Sequence, residues 1–249
     1  MLEIERVVKE FDGLRVLNGA TLKVERGEIA GLIGPNGSGK TTLFNVVSGV
    51  YKPDGGAIKY KGERIDGLKP YQIFRRGLVR TFQIPRLFQK LSVLNNMLIA
   101  AKKNSGESFS LAFLKGKWLQ EERGLVEKAR DILKFLDLDR LKDEPASNLS
   151  GGQMKLLELG RALMSDPEML LIDEPASGVN PALVDKIFRK LLELREEGLT
   201  FLIIEHRMEA LLSYADKIHV MYKGEVIAEG TPSEIVNNPQ VINVYLGEA

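Results

Sequence analysis

The residues that most constrain this chain are Gly34-Pro35-Asn36-Gly37-Ser38-Gly39-Lys40-Thr41. They fit the pattern G-x-x-x-x-G-K-[ST], after an apolar run at 29–33 and before a helical pattern at 40–48. A glycine-rich turn between strand and helix lets successive backbone N–H groups converge on phosphate oxygens without obstruction by Cβ atoms. The helix N-terminus adds the positive end of its dipole. In that chemistry the Lys40 ammonium reaches the β- and γ-phosphates, the Thr41 hydroxyl coordinates Mg²⁺ and Thr42 donates to the α-phosphate. A plain glycine turn would not need every constrained position to match. The motif predicts a nucleoside triphosphate site in an α/β core, without saying which class of phosphate-loop protein carries it.

From Ser150 onward helix and strand patterns alternate: helix 152–164, strand 169–172, helix 181–196, strand 200–204, helix 207–213 and strand 217–221. Strands this short and uniformly apolar are buried on both faces, as in a parallel sheet covered by helices. The first third reads instead as strands and turns, with alternation at 2–8 and 20–25 and a strand at 57–60 behind Asp54-Gly55-Gly56. Residues 86–147 are helix-periodic, best at 91–101 and 122–136. Residues 102–116 are the most loop-like, and 232–247 read as two short helices. The expected organisation is one domain over 1–249. Residues 1–85 and 150–249 form its α/β core, and 86–149 form an inserted helical subdomain.

Composition narrows the function. The 35 basic and 34 acidic side chains leave a formal net charge of +1. This argues against binding nucleic acid through bulk positive charge, although a local basic patch is compatible with it. Cysteine is absent, which excludes disulfides and thiolate metal sites. The N-terminus enters a strand pattern directly, so no secretory signal is expected. No apolar run approaches the roughly 20 residues that a spanning helix needs. Any membrane function is expected to act through partners.

Residues 169–172 lead into Asp173-Glu174, two acids at a strand end. At the carboxyl end of a parallel strand both side chains can reach the ligand crevice. Asp173 suits the Mg²⁺ shell, and Glu174 suits a general base for an attacking water. Alone, such a pair reads equally well as a solvated acidic turn; beside the upstream glycine loop, the catalytic reading prevails. Leu149-Ser150-Gly151-Gly152-Gln153 opens another helix. Ser150 is a good N-cap, and two glycines at a helix start cost up to about 1 kcal/mol each, which suggests that an anion approaches the backbone there.

The glycine loop at 34–41, Leu-Ser-Gly-Gly-Gln at 149–153 and Leu-Leu-Ile-Asp-Glu-Pro at 170–175, in this order, resemble the ABC ATPase family across essentially the whole chain. The resemblance implies a P-loop NTPase α/β fold with a mostly parallel sheet, an N-terminal antiparallel β subdomain and an inserted α-helical subdomain. It implies ATP and Mg²⁺, and two cassettes, identical or paralogous, that sandwich two ATP molecules head to tail. Gly34, Pro35, Asn36, Gly37, Ser38, Gly39, Lys40, Thr41 and Thr42 would then hold ATP from one copy. Ser150, Gly151, Gly152 and Gln153 would close over the γ-phosphate from the other.

Carried over residue by residue, Phe11 matches the aromatic that stacks on adenine, though on pattern alone it reads as core. Gln83, in Arg80-Thr81-Phe82-Gln83, matches the glutamine that senses Mg²⁺, though it could be a surface glutamine. His206 matches the switch histidine at the γ-phosphate. With Lys40 and Glu174, Gln83 and His206 complete the implied catalytic set, and Thr41, Gln83 and Asp173 the implied metal set. His219, mid-strand, reads as structural. Ser177-Gly178-Val179-Asn180 departs from the family's Ser-x-Leu-Asp by losing a charge at Asn180.

Arg80–Gln83, the insertion at 109–118, Ile203-Ile204-Glu205-His206-Arg207-Met208 and Tyr245-Leu246-Gly247 resemble one branch, the ATPases of branched-chain, hydrophobic amino acid importers. That branch implies transmembrane permease subunits, an extracytoplasmic substrate-binding protein as an indirect partner, and a peripheral place on the cytoplasmic face of the cell membrane. No nucleic acid is expected. Ile84, Leu87 and Phe88 would line a groove for a permease helix, or else form subdomain core. Two rivals share motifs: the ATPase of a lipopolysaccharide-type exporter and a soluble ABC protein acting on nucleic acid.

Overall fold

The computed structural model describes residues 1–81, 86–102, 115–205 and 208–246. The chain divides into two compact units. One comprises Met1–Gln83, Glu168–Ser177 and Val184–Ala249; the other comprises Ile84–Pro167 and Gly178–Leu183.

The first unit carries two sheets. Strands β1 (Leu2–Phe11), β2 (Leu14–Val24), β4 (Gly55–Tyr60) and β5 (Glu63–Arg64) form an antiparallel sheet in the order β2-β1-β4-β5. Its two-residue turns, Asp12-Gly13 and Lys61-Gly62, have positive φ at both positions, as the twist of paired strands favours. The alternation read at 2–8 is interrupted: Leu2, Ile4 and Val7 are buried, and the pairing shifts register between Ile4 and Val7. An irregularity there returns the apolar side chains to the core face, past the charged pair Glu5-Arg6.

The second sheet follows the order β10-β9-β3-β8-β7-β6, built from β3 (Ile29–Ile33), β6 (Leu78–Arg80), β7 (Met169–Asp173), β8 (Thr200–Ile204), β9 (Lys217–Tyr222) and β10 (Glu225–Gly230). All neighbours are parallel except β9 and β10. Every residue of β3, β7 and β8 is buried, as their unbroken apolar runs require. Helix α1 (Lys40–Val47) contributes Leu43, Phe44, Val46 and Val47 to a buried cluster that includes inward residues of both sheets. Sequence patterning missed β6, β10 and the short helix α2 (Pro70–Arg75). Three residues are too few to show a period, and β10, at the sheet edge, is only partly buried.

The second unit holds α3 (Val93–Ile99), α4 (Lys115–Phe135), α5 (Gly151–Leu163) and two single 3₁₀ turns at Asp139–Leu141 and Ala146–Asn148. It is less helical at 137–149 than the periodicity suggested, because Asp137 takes a positive φ and Ser92 pairs with Pro145 in an isolated bridge. The boundary also differs from the expected one. Residues 150–167 group with the helical unit, not with the α/β core. The reason lies in α5, where a Cβ on Gly160 would meet the Met97 sulfur at 2.9 Å and Leu136 at 3.0 Å. The helix thus packs closely against its neighbours in that unit.

Among the described residues, no helix is long and apolar enough to cross a membrane. α8 (Pro232–Val236) and α9 (Pro239–Leu246) are the two short helices expected at the end of the chain.

Candidate nucleotide-binding site

Parallel registry brings several strand ends to one edge. Leu32 of β3 pairs with Ile204 of β8, and Ile204 pairs with Asp173 of β7. The glycine loop, Asp173-Glu174 and the segment after Ile204 therefore leave the sheet together.

The loop's shape depends on missing side chains. Gly34 has φ 148°, and a Cβ there would lie 2.1 Å from the Met221 carbonyl oxygen. A contact that sequence reasoning missed supports the loop from behind: the Gly224 N–H, in the β9–β10 turn, donates to the Ser38 carbonyl at 3.0 Å. Gly39 is the N-cap of α1, with φ 103° and no side-chain cap. The first N–H groups of the helix are left to other acceptors, an arrangement suited to an anion. Asn36, Gly37 and Thr41 are exposed, and Pro35 and Thr42 are partly buried.

Lys40 is 5% exposed. Its Nζ donates to the Gly34 and Pro35 carbonyls at 2.7 and 2.8 Å, and to Ser38 Oγ at 3.3 Å. Burial pushes its pKa down, and the carboxylates of Glu174 and Asp173 push the other way. The two acids favour the charged form of Lys40, and a desolvated ammonium is a strong donor to phosphate oxygens.

Asp173 ends β7 and is 6% exposed. Its Oδ2 accepts from Arg80 Nη2 at 3.1 Å. Glu174 has φ 51°, the left-handed region that costs a non-glycine residue roughly 1–3 kcal/mol. Its N–H donates to the Ile204 carbonyl at 2.9 Å, and its own carbonyl accepts from Ser177. The backbone thus turns sharply at Glu174, a geometry that suits a plain acidic turn and a catalytic carboxylate alike.

Phe11 is half-buried, so it is not a core residue. Its ring makes an edge contact with Tyr51 at 5.1 Å, and Lys9 Nζ lies 5.2 Å from its centroid. Gln83 and His206 lie outside the described residues, as does Ile84. Leu87 is partly buried, and Phe88 is 49% exposed. His219 is fully buried in β9, in keeping with a structural reading.

In the helical unit, Ser150 caps α5 through a capping box: Gln153 N–H donates to Ser150 Oγ at 3.4 Å, and Ser150 N–H donates to Gln153 Oε1 at 2.8 Å. The two glycines then separate. A Cβ on Gly152 would meet Leu183 Cδ2 at 1.8 Å, whereas one on Gly151 would meet nothing within 4 Å. Packing accounts for Gly152 and leaves Gly151 to another cause. Asn180 Oδ1 accepts the Leu183 N–H at 2.9 Å, so the amide caps α6 (Pro181–Glu196) without the acid's charge.

The family profile described as "ABC transporter" matches residues 17–177, and one described as "Branched-chain amino acid ATP-binding cassette transporter" matches residues 225–249. The chain belongs to the ABC transporter family, as one of its ATP-binding cassettes. It is 49% identical, over 99% of its length and 95% of the relative's, to the "Probable branched-chain amino acid transport ATP-binding protein LivG" of Archaeoglobus fulgidus. It is 40% identical, over 100% of its length and 98% of the relative's, to the "High-affinity branched-chain amino acid transport ATP-binding protein BraF" of Pseudomonas aeruginosa. A solved cassette in its ADP conformation superposes with a TM-score of 0.87 at 43% identity, covering 99% of this chain and 98% of that one.

Proposed function

We propose that this cassette hydrolyses ATP with Mg²⁺ and thereby drives permease subunits that import branched-chain, hydrophobic amino acids. Support for the chemistry comes from the shared edge of β3, β7 and β8, where the loop ahead of Lys40 and the Asp173-Glu174 turn emerge together. Backbone N–H groups at 36–41 and the Lys40 ammonium hold the β- and γ-phosphates, Thr42 donates to the α-phosphate, and Phe11 supports the adenine. Glu174 orients a water and accepts its proton as the water oxygen bonds to the γ-phosphorus and the bond to the ADP oxygen breaks. His206 contacts the γ-phosphate.

The residues fit Mg²⁺. The ion favours one or two carboxylates with substrate phosphates and water over an all-protein cage. Among the described residues no group of three or more His, Asp or Glu side chains forms such a cage. The Thr41 hydroxyl and the Asp173 carboxylate would hold it, with Gln83 alongside. When bound, Mg²⁺ neutralises charge developing on the phosphates.

A second cassette, identical or paralogous, supplies Ser150, Gly151, Gly152 and Gln153 across an ATP sandwich. The open space beside Gly151 supports this reading. The complex lies on the cytoplasmic face of the cell membrane, with the permeases in the bilayer and a substrate-binding protein beyond it. The relatives, named for branched-chain amino acid transport, support the cargo.

The deciding experiment is Glu174→Gln. ATP affinity is retained while hydrolysis falls about 10²–10⁴-fold; ordinary turnover would remove Glu174 from the reaction. Uptake of labelled leucine by proteoliposomes holding the assembled transporter tests the cargo, and efflux without uptake would overturn import.

A further inference from the structure

The last residue of β6, Arg80, turns its guanidinium in between α1 and β7. Nη1 donates to Asn45 Oδ1 at 2.6 Å and to Ser48 Oγ at 3.3 Å, both at the far end of the helix that begins with Lys40. Nη2 donates to Asp173 Oδ2 at 3.1 Å, and the guanidinium carbon lies 5.6 Å from the centre of the Phe44 ring. The side chains of Arg80 and Asp173 are 10% and 6% exposed. This is a desolvated ion pair held by several partners, unlike the exposed pairs elsewhere on the unit.

Such a pair has a consequence for the metal. Asp173 is the only carboxylate assigned to the Mg²⁺ shell, yet one of its oxygens is already engaged by a fixed cation. A buried carboxylate left without a counter-charge would be strongly disfavoured, and Arg80 supplies that counter-charge. The same positive charge opposes a divalent ion brought to that carboxylate. A unit charge beside a divalent ion in a partly buried site changes affinity by more than about tenfold.

We propose that Arg80 is a built-in counter-ion to Asp173 that competes with Mg²⁺ for this carboxylate, so that metal arrival loosens the Arg80–Asp173 pair. This rests on the Mg-ATP reading above. Arg80 immediately precedes the segment that contains Gln83, and its β6 backbone is paired to β7 (Arg80 with Leu171). Loosening the pair therefore changes the restraint on the start of that segment. The device reports metal occupancy from Asp173 to residue 80 without a moving domain. Arg80 is a positioning residue in this scheme and acts through Asp173.

The test reads Mn²⁺, a paramagnetic stand-in for Mg²⁺, by electron paramagnetic resonance with the chain saturated by a non-hydrolysable ATP analogue. Arg80→Met fills similar volume without charge and is expected to tighten Mn²⁺ by about tenfold or more. Arg80→Lys keeps the charge but not the guanidinium fork, and is expected to fall between the parent and Arg80→Met. Binding of the analogue in EDTA is expected to be unchanged in both variants. Unchanged or weaker Mn²⁺ binding in Arg80→Met, with EDTA-phase nucleotide binding intact, overturns the proposal. Loss of nucleotide binding in the parent chain itself would instead strike at the ATP reading. Should Arg80→Met fail to fold, arginine side-chain NMR of the parent chain decides. The Arg80 Nη signals, assigned with Arg80→Lys, should shift when Mg²⁺ is added to the analogue-loaded chain; no shift overturns the proposal.

Discussion

The buried carboxylate of Glu205 accepts the backbone N–H of Ala176 at 3.1 Å, joining the residue after β8 to the turn that follows Asp173-Glu174. Glu205 is 3% exposed and Ala176 fully buried. The two segments flanking the proposed general base are thus fastened to each other by a charge-assisted hydrogen bond, in addition to the Glu174 N–H bond to Ile204.

Replacing Glu205 tests that fastening. Glu205→Leu strands the buried Ala176 N–H and should lower stability by about 1–3 kcal/mol, read by urea denaturation. Glu205→Gln keeps an acceptor and should lose less. Hydrolysis should fall in Glu205→Leu while ATP affinity holds. Equal stability in the Leu variant would show that the bond contributes nothing.

The paired glycines at the start of α5 should respond in opposite ways. Gly152→Ala forces Leu183 aside and should cost about 1–3 kcal/mol. Adding Leu183→Ala should recover part of that loss, a coupling that a double-mutant cycle measures. Gly151→Ala meets no neighbour within 4 Å and should leave thermal stability unchanged or slightly raised. If a second cassette's ATP approaches this backbone, the same change should weaken ATP-dependent dimerisation, seen by light scattering.

Asn96 is the polar clamp of the helical unit. It is fully buried; its Oδ1 accepts from Phe88 N–H at 2.9 Å, and its Nδ2 donates to the Phe88, Leu91 and Ser92 carbonyls at 3.0, 3.3 and 3.0 Å. Asn96→Leu should destabilise the chain by roughly 1–3 kcal/mol or more and speed amide exchange at Phe88. Unchanged exchange at Phe88 would count against the clamp.

The buried imidazole of His219 makes stability depend on pH. Burial pushes its pKa down to about 4, against the weaker pull of Glu229, whose Oε2 lies 3.3 Å from Nδ1. The unfolded chain, with a histidine near pH 6.5, binds the proton more readily. Its contribution is therefore complete above about pH 6.5 and is lost as pH falls towards 4, up to about 3 kcal/mol. His219→Phe should flatten that part of the stability profile relative to the parent. Parallel profiles would mean that His219 does not carry the slope.

Much of the site was legible because its chemistry is local in sequence. The glycine loop, the capping residues at Ser150 and Gln153, and the acids closing an apolar strand each lie within a few consecutive positions. Their spacing is set by backbone geometry. Phe11 was different, since its pattern suggested core and the structure leaves it half-buried against Tyr51. The short strand β6 carried no readable period, and with it went the significance of Arg80.

By itself, the sequence determined which backbone could cradle phosphate, which strands had to be covered on both faces and where helices begin, because these follow from side-chain volume and φ/ψ preference over short spans. Only the tertiary structure decided that Arg80 meets Asp173, that Leu183 occupies the space beside Gly152, and that the turn at Gly224 backs the loop at Ser38. These partners are separated by 31 to 186 positions along the chain. A side chain's type announces that it needs a partner, but only the folded path of the backbone selects which one it finds.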